Sequence, residues 1–508
     1  MIKEWFKELT KTPCLSYSIK DIIKWMFMDI AMRKRLIVTA GIIIVLQLIA
    51  FTPLPGIDIS VLREFFSRLT AQGTQFINII GLFASGGALS RLTIFSLGLA
   101  PFFSSCLLLQ IGSAFIPKLR KYSFNGEGGR RKITKFVYIF TIIISIIYSY
   151  SIASWLESPA IKEYHLIVAY PGFGFRLMTT AVMTASVALL LFIADIINRY
   201  GIGNGFAVIA VSALFLKFLT AINMIISLTL KGIIQPHLLL VAVVIFAGLI
   251  YVVFYITRRS KAIEIKDNNQ NKIVFNFKAS IVGHEPVGWA ASLIYCLLTI
   301  ASFINSAWTQ NLSTLIAKGS IVYIIGSTIL MLIFTYMYAL IVFDPKYLKD
   351  IVNQYGFTFV ALNDKAPEDY LDNCMSKVLI LTALVLMATN IIPSLAMVFM
   401  KTPYWITSLF GGTTLLLGVG VFLDIIAQAE FFKKQSESGI KDWIVCYIAF
   451  DEFEAKVKSA FLNTKGIQSL IEPLRFTWGM PVRTMVDQYR IYVPLDKKDE
   501  ARGMLIIR

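Results

Sequence analysis

At 508 residues the chain is long enough for three soluble domains, but 56% of it is hydrophobic and only 16% is charged, with a mean hydropathy of +0.69. A soluble fold of this size needs more polar surface to cover itself, so the figures exclude that class and describe an integral membrane protein. The net charge of +17, from 48 Lys and Arg against 31 Asp and Glu, fits basic loops that hold a membrane topology better than a nucleic-acid surface.

The apolar runs are continuous rather than alternating, which points to helices and not to a barrel. Residues 1–35 are amphipathic and basic, without the short apolar core and small-residue cleavage site of a removable signal peptide. A spanning helix needs about 20 mostly apolar residues. Ten stretches qualify, at roughly 36–52, 88–112, 133–155, 176–197, 203–228, 237–257, 287–306, 320–343, 377–400 and 405–429. With the N-terminus in the cytoplasm, the inside segments hold 39 of the 48 basic residues. The even count of spans then returns the C-terminus to the same side.

Two stretches depart from plain spans. Residues 53–90 hold Pro53, Pro55 and Gly56 and end in the small-residue run Ser85-Gly86-Gly87-Ala88. The second span carries Arg91, Ser96, Gly98, Pro101, Ser104, Ser105 and Gln110. A helix that polar lines a wet or protein-filled interior; close packing through small residues is the alternative. The last 75-odd residues are too polar to insert. Residues 442–450 and 489–494 are β-rich, and 451–465 has helical spacing before Gly466, which predicts a small α+β domain of order β-α-β-β-α. Both faces of the first strand are apolar, as suits the centre of a small sheet with helices on one side and a partner on the other. Over 430–508 the charges nearly balance, 13 basic against 11 acidic, which argues against nucleic acid.

Chemistry that a catalyst would need is sparse. The five cysteines (Cys14, Cys106, Cys296, Cys374, Cys446) form no CxxC pair and no disulfide framework. His165, His237 and His284 are never at i, i+4, and His284-Glu285 is followed by Pro286 rather than by the rest of a zincin motif. Asn125-Gly126-Glu127-Gly128-Gly129 lacks the GK[ST] of a nucleotide loop and reads as a tight basic turn; Gly201-Ile-Gly203-Asn-Gly205 lacks dinucleotide spacing. No enzyme, cofactor or metal site is expected.

Seven stretches in order carry a specific resemblance: FTPLPGID (Phe51–Asp58), GGALSRLTIFSLGLAP (Gly86–Pro101), GEGGRRKI (Gly126–Ile133), PGFGFRLMTT (Pro171–Thr180), RYGIGNG (Arg199–Gly205), FDPKYLKDIVNQYG (Phe343–Gly356) and FGGTTLLL (Phe410–Leu417). Over about 30–430 the chain resembles the SecY family, the channel subunit of the general protein translocase. The resemblance implies an all-α, ten-span channel of two pseudo-symmetric halves, about 36–230 and 237–430, with the α+β unit at 436–508 as an addition. That addition faintly resembles small bacterial βαββα modules of unassigned role. A conduit for unfolded polypeptide needs no side-chain chemistry, only a constriction that yields to a chain and dewets when empty.

By carry-over the pore ring falls on Phe103, Leu107, Ile209, Gly288, Ile300 and Leu417. Gly288 replaces the usual bulky aliphatic, and Trp289 or Phe103 fills the gap. The plug falls on the short helix around Gly81–Leu92, with Gly81, Phe83, Ser85, Gly86, Gly87 and Leu89. The lateral gate, between spans 2–3 and 7–8, takes Ser104, Ser105 and Gln110 as polar contacts. Arg258, Arg259 and Lys365 lie on the loops that dock the ribosome or the motor ATPase SecA in the family. The implied partners are SecE-like and SecG-like small membrane subunits, SecA or the ribosome, unfolded secretory and membrane clients, and the lipid bilayer. The implied location is the inner membrane of a bacterium, both termini cytoplasmic.

Besides Gly288, two loops and one further position depart from the family pattern. The eighth-to-ninth loop reads FVALNDKAPEDY (Phe359–Tyr370) without the customary Arg. The sixth-to-seventh loop reads KDNNQNK where basic residues are usual, and Gln47 stands at a customary Arg. These bear on which motor docks rather than on the channel. The competing readings are a specialised or accessory SecY with restricted clients, a secondary transporter, which would need midplane ionisable pairs that are absent here, and a scaffold for the C-terminal unit.

Overall fold

Apolar segments of this length satisfy their backbone groups internally, and helices result. A computed structural model of the protein describes residues 12–13, 17–58, 61, 92–116, 119, 126–157, 168–232, 235–257, 259–267, 272–278, 290, 293–294, 321–342, 345–360, 366–400, 412–440, 442–449, 452–474 and 488–506. Its longer helices are α1 (Ile19–Met28), α2 (Ile30–Ile49), α3 (Ala100–Phe115), α4 (Gly126–Leu156), α5 (Phe173–Tyr200), α6 (Gly205–Leu230) and α7 (Pro236–Thr257). They continue with α8 (Ile321–Val342), α9 (Pro345–Gln354), α10 (Pro367–Met400) and α11 (Gly412–Glu437). Every expected span except the seventh falls on one of these helices; of 287–306 only Ala290, Leu293 and Ile294 are described. Among the described residues four helical segments are long and apolar enough to cross a membrane, Lys132–Ser154, Phe173–Tyr200, Pro236–Ile256 and Pro367–Leu395. Their outward faces carry bulky apolar side chains, Ile139, Ile143 and Ile147 on α4 and Leu240, Val243 and Val244 on α7. Such faces suit lipid rather than water.

The expected second span and the basic turn before the third need correction. The second span does not begin at 88: residues 92–99 form a chain of turns, with Leu92 at φ 39° and Gly98 at φ 51°, and the helix starts at Ala100. Pro101 explains the start, because a proline is tolerated in the first turn, where its missing N–H costs nothing. The basic turn at Gly126–Gly129 is instead the first turn of α4.

Strands gather at one end of the bundle. β1 (Thr12–Pro13), β2 (Arg259–Asp267), β3 (Lys272–Lys278) and β4 (Phe357–Phe359) form an antiparallel sheet in which β2 pairs with all three others. The sixth-to-seventh loop is therefore a β-hairpin, and β4 ties it to the segment after α9. The chain closes with β5 (Trp443–Ala449), α12 (Glu452–Thr464), β6 (Leu470–Leu474), β7 (Gln488–Pro494), a 3-10 turn at Leu495–Lys497 and α13 (Lys498–Ile506).

The order of that last sheet is β5-β7-β6, so β5 is an edge strand and β7 the centre. A bulge between Val445 and Tyr447 turns Tyr447 onto the face of Ile444. The second sheet face is covered by the chain's own α11: Phe431 packs on Tyr492 with ring centroids 5.1 Å apart, and Gln428 bonds to Glu472. No outside partner is needed to bury it.

The first face shares one core with the loops. Cys446, Phe453, Val457, Phe461, Leu462, Ile491, Val493 and Leu505 cluster with Ile265, Leu348, Ile351, Val352, Tyr355 and Phe357. A buried ion pair lies in the same layer: Lys458 Nζ is 2.7 Å from Glu454 Oε1, both side chains under a tenth exposed. Lys458 also sits 3.5 Å above the Tyr447 ring, and the Tyr447 hydroxyl donates to Glu454 over 2.9 Å. Burial, with the Glu454 carboxylate beside it, pushes the Tyr447 phenol up. These charges are paired as well as hydrogen-bonded, the condition for tolerating burial.

At the opposite end of the bundle, Pro53 bridges Thr93 and Ile57 bridges Val168. Glu157 there accepts from the Gly172 backbone N–H at 2.7 Å and from Arg176 Nε at 2.6 Å, tying the end of α4 to the start of α5.

Candidate functional site

Where α3, α6 and α11 meet, their inward side chains form one apolar cluster. Phe102, Cys106 and Leu109 from α3, Phe206–Ile209 from α6, and Leu417 and Val421 from α11 are buried, and Phe103 packs against them. The Phe102 and Phe206 rings stack at 4.3 Å with planes 4° apart, and Phe103 meets Phe102 edge-on at 5.7 Å. Three expected ring positions, Phe103, Ile209 and Leu417, thus belong to one apolar cluster, which also takes side chains from α2, α4 and α5. Leu107 lies one helical turn after Phe103 on α3, its side chain outside the described residues. Gly288 and Ile300 lie outside them entirely, as do the plug positions Gly81, Phe83, Ser85, Gly86, Gly87 and Leu89.

The expected gate serines have defined partners. Ser104 Oγ is 3.2 Å from Tyr148 Oη, and Ser105 Oγ is 2.7 Å from Thr141 Oγ1, which itself donates to the Val137 carbonyl. Both serines therefore stitch α3 to α4, spans two and three. The Gln110 side chain is outside the described residues. Of the docking positions, Arg259 opens β2, opposite Pro13, with its side chain undescribed; Arg258 and Lys365 lie outside.

Sequence reasoning missed the turn that holds α6 beneath this cluster. At Gly201–Gly205 the chain reverses from α5 into α6, and side chains accept from three of the five backbone N–H groups there. Ile202 N donates to Thr39 Oγ1 at 2.9 Å, Gly203 N to Gln428 Oε1 at 2.6 Å, and Gly205 N to Asn198 Oδ1 at 2.7 Å. Asn204 caps α6 through Phe206 N, and Arg35 donates to the Gly201 carbonyl. The glycines are steric requirements: a Cβ on Gly205 would stand 2.1 Å from the Ala194 carbonyl oxygen, and Gly203 sits at φ +82°. The RYGIGNG stretch is thus a backbone cradle gripped by α2, α5 and α11, and no phosphate site.

The grip extends into the C-terminal unit. Gln428 Nε2 donates to Glu472 Oε1 at 3.1 Å, and Glu472 Oε2 accepts from Tyr492 Oη at 2.8 Å and from Arg490 at 3.5 Å. Burial, followed by the Glu472 charge, pushes the Tyr492 phenol up to about 12. Among the described residues no group of three or more His, Cys, Asp or Glu side chains is placed to hold a metal ion.

The sequence profile of the SecY family matches residues 93–426, from the turns before α3 to the middle of α11. The chain belongs to the SecY family. It is similar to the protein translocase subunit SecY of Escherichia coli (strain K12), with 29% identity over 429 residues, 81% of this chain and 94% of the relative. Similarity to the SecY subunit of Aquifex aeolicus (strain VF5) is 26% over 430 residues, covering 82% and 98%. Among solved structures, one described as a protein conducting channel aligns with a TM-score of 0.50 at 15% identity, over 80% of this chain and 93% of the other. A second, of a SecY protein in a study of its plug domain, gives 0.52 at 14% identity over the same shares. Family membership makes the chain a protein-conducting channel subunit of the translocase, not an enzyme, and sets the transporter reading aside.

Proposed function

We propose that the protein passes unfolded polypeptides across the membrane and releases transmembrane segments sideways, with Phe103, Leu107, Ile209, Gly288, Ile300 and Leu417 as the seal. The observation that carries this is the convergence of Phe103, Ile209 and Leu417 in one apolar cluster, inside the stretch that matches the SecY profile. Apolar side chains at a waist exclude ions because hydration cannot be shed there, yet they part for a polypeptide. The plug is assigned to the segment around Gly81–Leu92, and the lateral gate to spans 2–3 against 7–8. Ser104 and Ser105 act in that gate by fixing α3 to α4, so that the two helices move as one wall.

The β-rich end is the cytoplasmic end in this reading, as the basic-residue distribution requires, with both termini there and the chain in a bacterial inner membrane. Ten spans form the channel at 36–430, preceded by the amphipathic 1–35, and 436–508 is a cytoplasmic α+β unit docked on the loops. SecE-like and SecG-like subunits flank the channel. SecA or the ribosome engages the loop surface that includes Arg258, Arg259 and Lys365. A specialised client set is favoured by one observation: the C-terminal unit shares its core with the same loops.

The test is ion conductance of the purified channel in planar bilayers. Leu107→Asn, Ile300→Asn and Ile209→Asn are expected to wet the constriction and raise conductance, because a polar side chain stabilises water there. Wild-type conductance in all three, at normal expression, refutes the ring assignment.

A further inference from the structure

We propose that Glu472 and Gln428 are positioning residues for the seal, through which the C-terminal unit holds the 201–205 turn, and α6 with it, in the closed arrangement. The carboxylate of Glu472 only accepts hydrogen bonds. Gln428 must therefore aim its amide nitrogen at Glu472, which leaves its oxygen for the Gly203 N–H. A flipped amide would set acceptor against acceptor at one end and donor against donor at the other. The unit's buried glutamate thus fixes the orientation of a side chain whose other end holds the channel backbone.

The turn has no slack to absorb a loss. A Cβ on Gly203 would meet Val208 at 2.9 Å and Ile425 at 3.1 Å, and Gly205 lies against the Ala194 backbone. α6 begins at Gly205, so the stacked Phe206 follows at once, and Ile209 lies four residues on, about 6 Å along the axis. Glu472 is itself locked, since Tyr492 and Arg490 take its second oxygen and Tyr492 packs on Phe431 of α11. An unbroken run of buried contacts therefore leads from β6 to the seal. A partner that displaces the C-terminal unit would release Gln428 and loosen the start of α6.

This inference rests on the assignment of Ile209 to the seal, and the experiment separates the two. Ion efflux per folded channel is measured in proteoliposomes holding the purified full-length protein, for Glu472→Ala, Glu472→Gln, Gln428→Leu, the Glu472→Ala/Gln428→Leu double variant and Ile209→Asn. Glu472→Ala and Gln428→Leu are each expected to raise efflux about tenfold, equivalent to about 1.4 kcal/mol. The double variant should leak no more than either single one, since both break the same connection. Glu472→Gln should leak less than Glu472→Ala: it keeps one acceptor oxygen, for which Gln428 competes with the donors Tyr492 and Arg490. If Glu472→Ala only lowers thermal stability while efflux per folded channel stays at wild type, Glu472 is structural and the proposal is wrong. Additive leaks in the double variant, or a Glu472→Gln that leaks like Glu472→Ala, overturn the orientation mechanism. If Ile209→Asn itself fails to leak, the seal assignment falls; if it leaks and Glu472→Ala does not, only the coupling falls.

Discussion

Phe461 on α12 and Tyr355 just beyond α9 meet edge to face, with ring centroids 5.2 Å apart and planes at 64°, and both are buried. This contact joins the C-terminal unit to the eighth-to-ninth loop and gives a direct measure of their shared core. Phe461→Ala removes a buried ring and leaves a cavity, a change that costs about 3–5 kcal/mol. The edge-to-face geometry contributes about 0.5–1.5 kcal/mol beyond burial. A double-mutant cycle with Tyr355→Ala should therefore show a coupling of about 1 kcal/mol. Cys446 supplies the assay: it is buried in the same cluster, its thiol faces the Lys498 carbonyl, and burial holds its pKa above the usual thiol value. In a chain whose other four cysteines are replaced, thiol labelling at Cys446 requires opening of the C-terminal unit. Phe461→Ala should then speed labelling by about two to three and a half orders of magnitude, from the cavity cost at about 1.4 kcal/mol per decade. Unchanged labelling, or single effects that add within about 0.3 kcal/mol, would show that the loop and the C-terminal unit do not share a core.

Three further outcomes are expected. Gly205→Ala should fail to accumulate as folded protein, because the added methyl meets the backbone of Ala194; expression and detergent-solubilised melting temperature report it. Tyr492 ionises near pH 10 when unfolded and at about 12 when folded. Its stabilising contribution is therefore complete below pH 10 and is lost as pH rises from 10 to 12. Tyr492→Phe should flatten that part of the alkaline stability profile, read from difference titration of tyrosinate absorbance together with unfolding. A cysteine placed at Glu127, at the start of α4, should be labelled only from the cytoplasmic side; labelling from outside intact cells would reverse the topology.

The spans were legible because apolar length is a one-dimensional signal that survives without knowledge of neighbours. Pro101 and Gly98 are equally visible and mark where a helix can start, a signal that the apolar length of 88–112 hides. The β2–β3 hairpin hid behind its polar tip: the alternation in KAIEIKD and KIVFNFK is a strand signal on either side of NNQN. In the C-terminal unit, the continuous apolar run of β5 shows that both its faces are covered but carries nothing about strand order or about α11 as the cover. Among the ring positions, Phe103, Ile209 and Leu417 were reachable only through family register, since each alone is an ordinary membrane residue. Gln428 and Glu472 left no trace in the sequence. A glutamine just past the middle of a helix and a glutamate in a short strand read as solvated until the fold brings them together.

The chain of turns at 92–99 bears on how the protein is built into the bilayer in the first place. α3 has 16 residues, about 24 Å, short of the roughly 30 Å of hydrocarbon that a spanning helix needs. The remaining depth is irregular backbone, and Thr93, Phe95, Ser96, Leu97 and Leu99 are buried there. Some of its hydrogen bonds close locally, as from Ser96 N to the Thr93 carbonyl, but Leu54 N reaches the Leu92 carbonyl, Ile94 N the Thr52 carbonyl and Ser186 Oγ the Ile94 carbonyl. Bare in lipid, those groups would each be costly to leave unpaired. The segment therefore cannot partition into the membrane on its own as it leaves the ribosome. The bond from Ser186 forms only once α5 has been made, so the pairing of this segment is completed after its own synthesis.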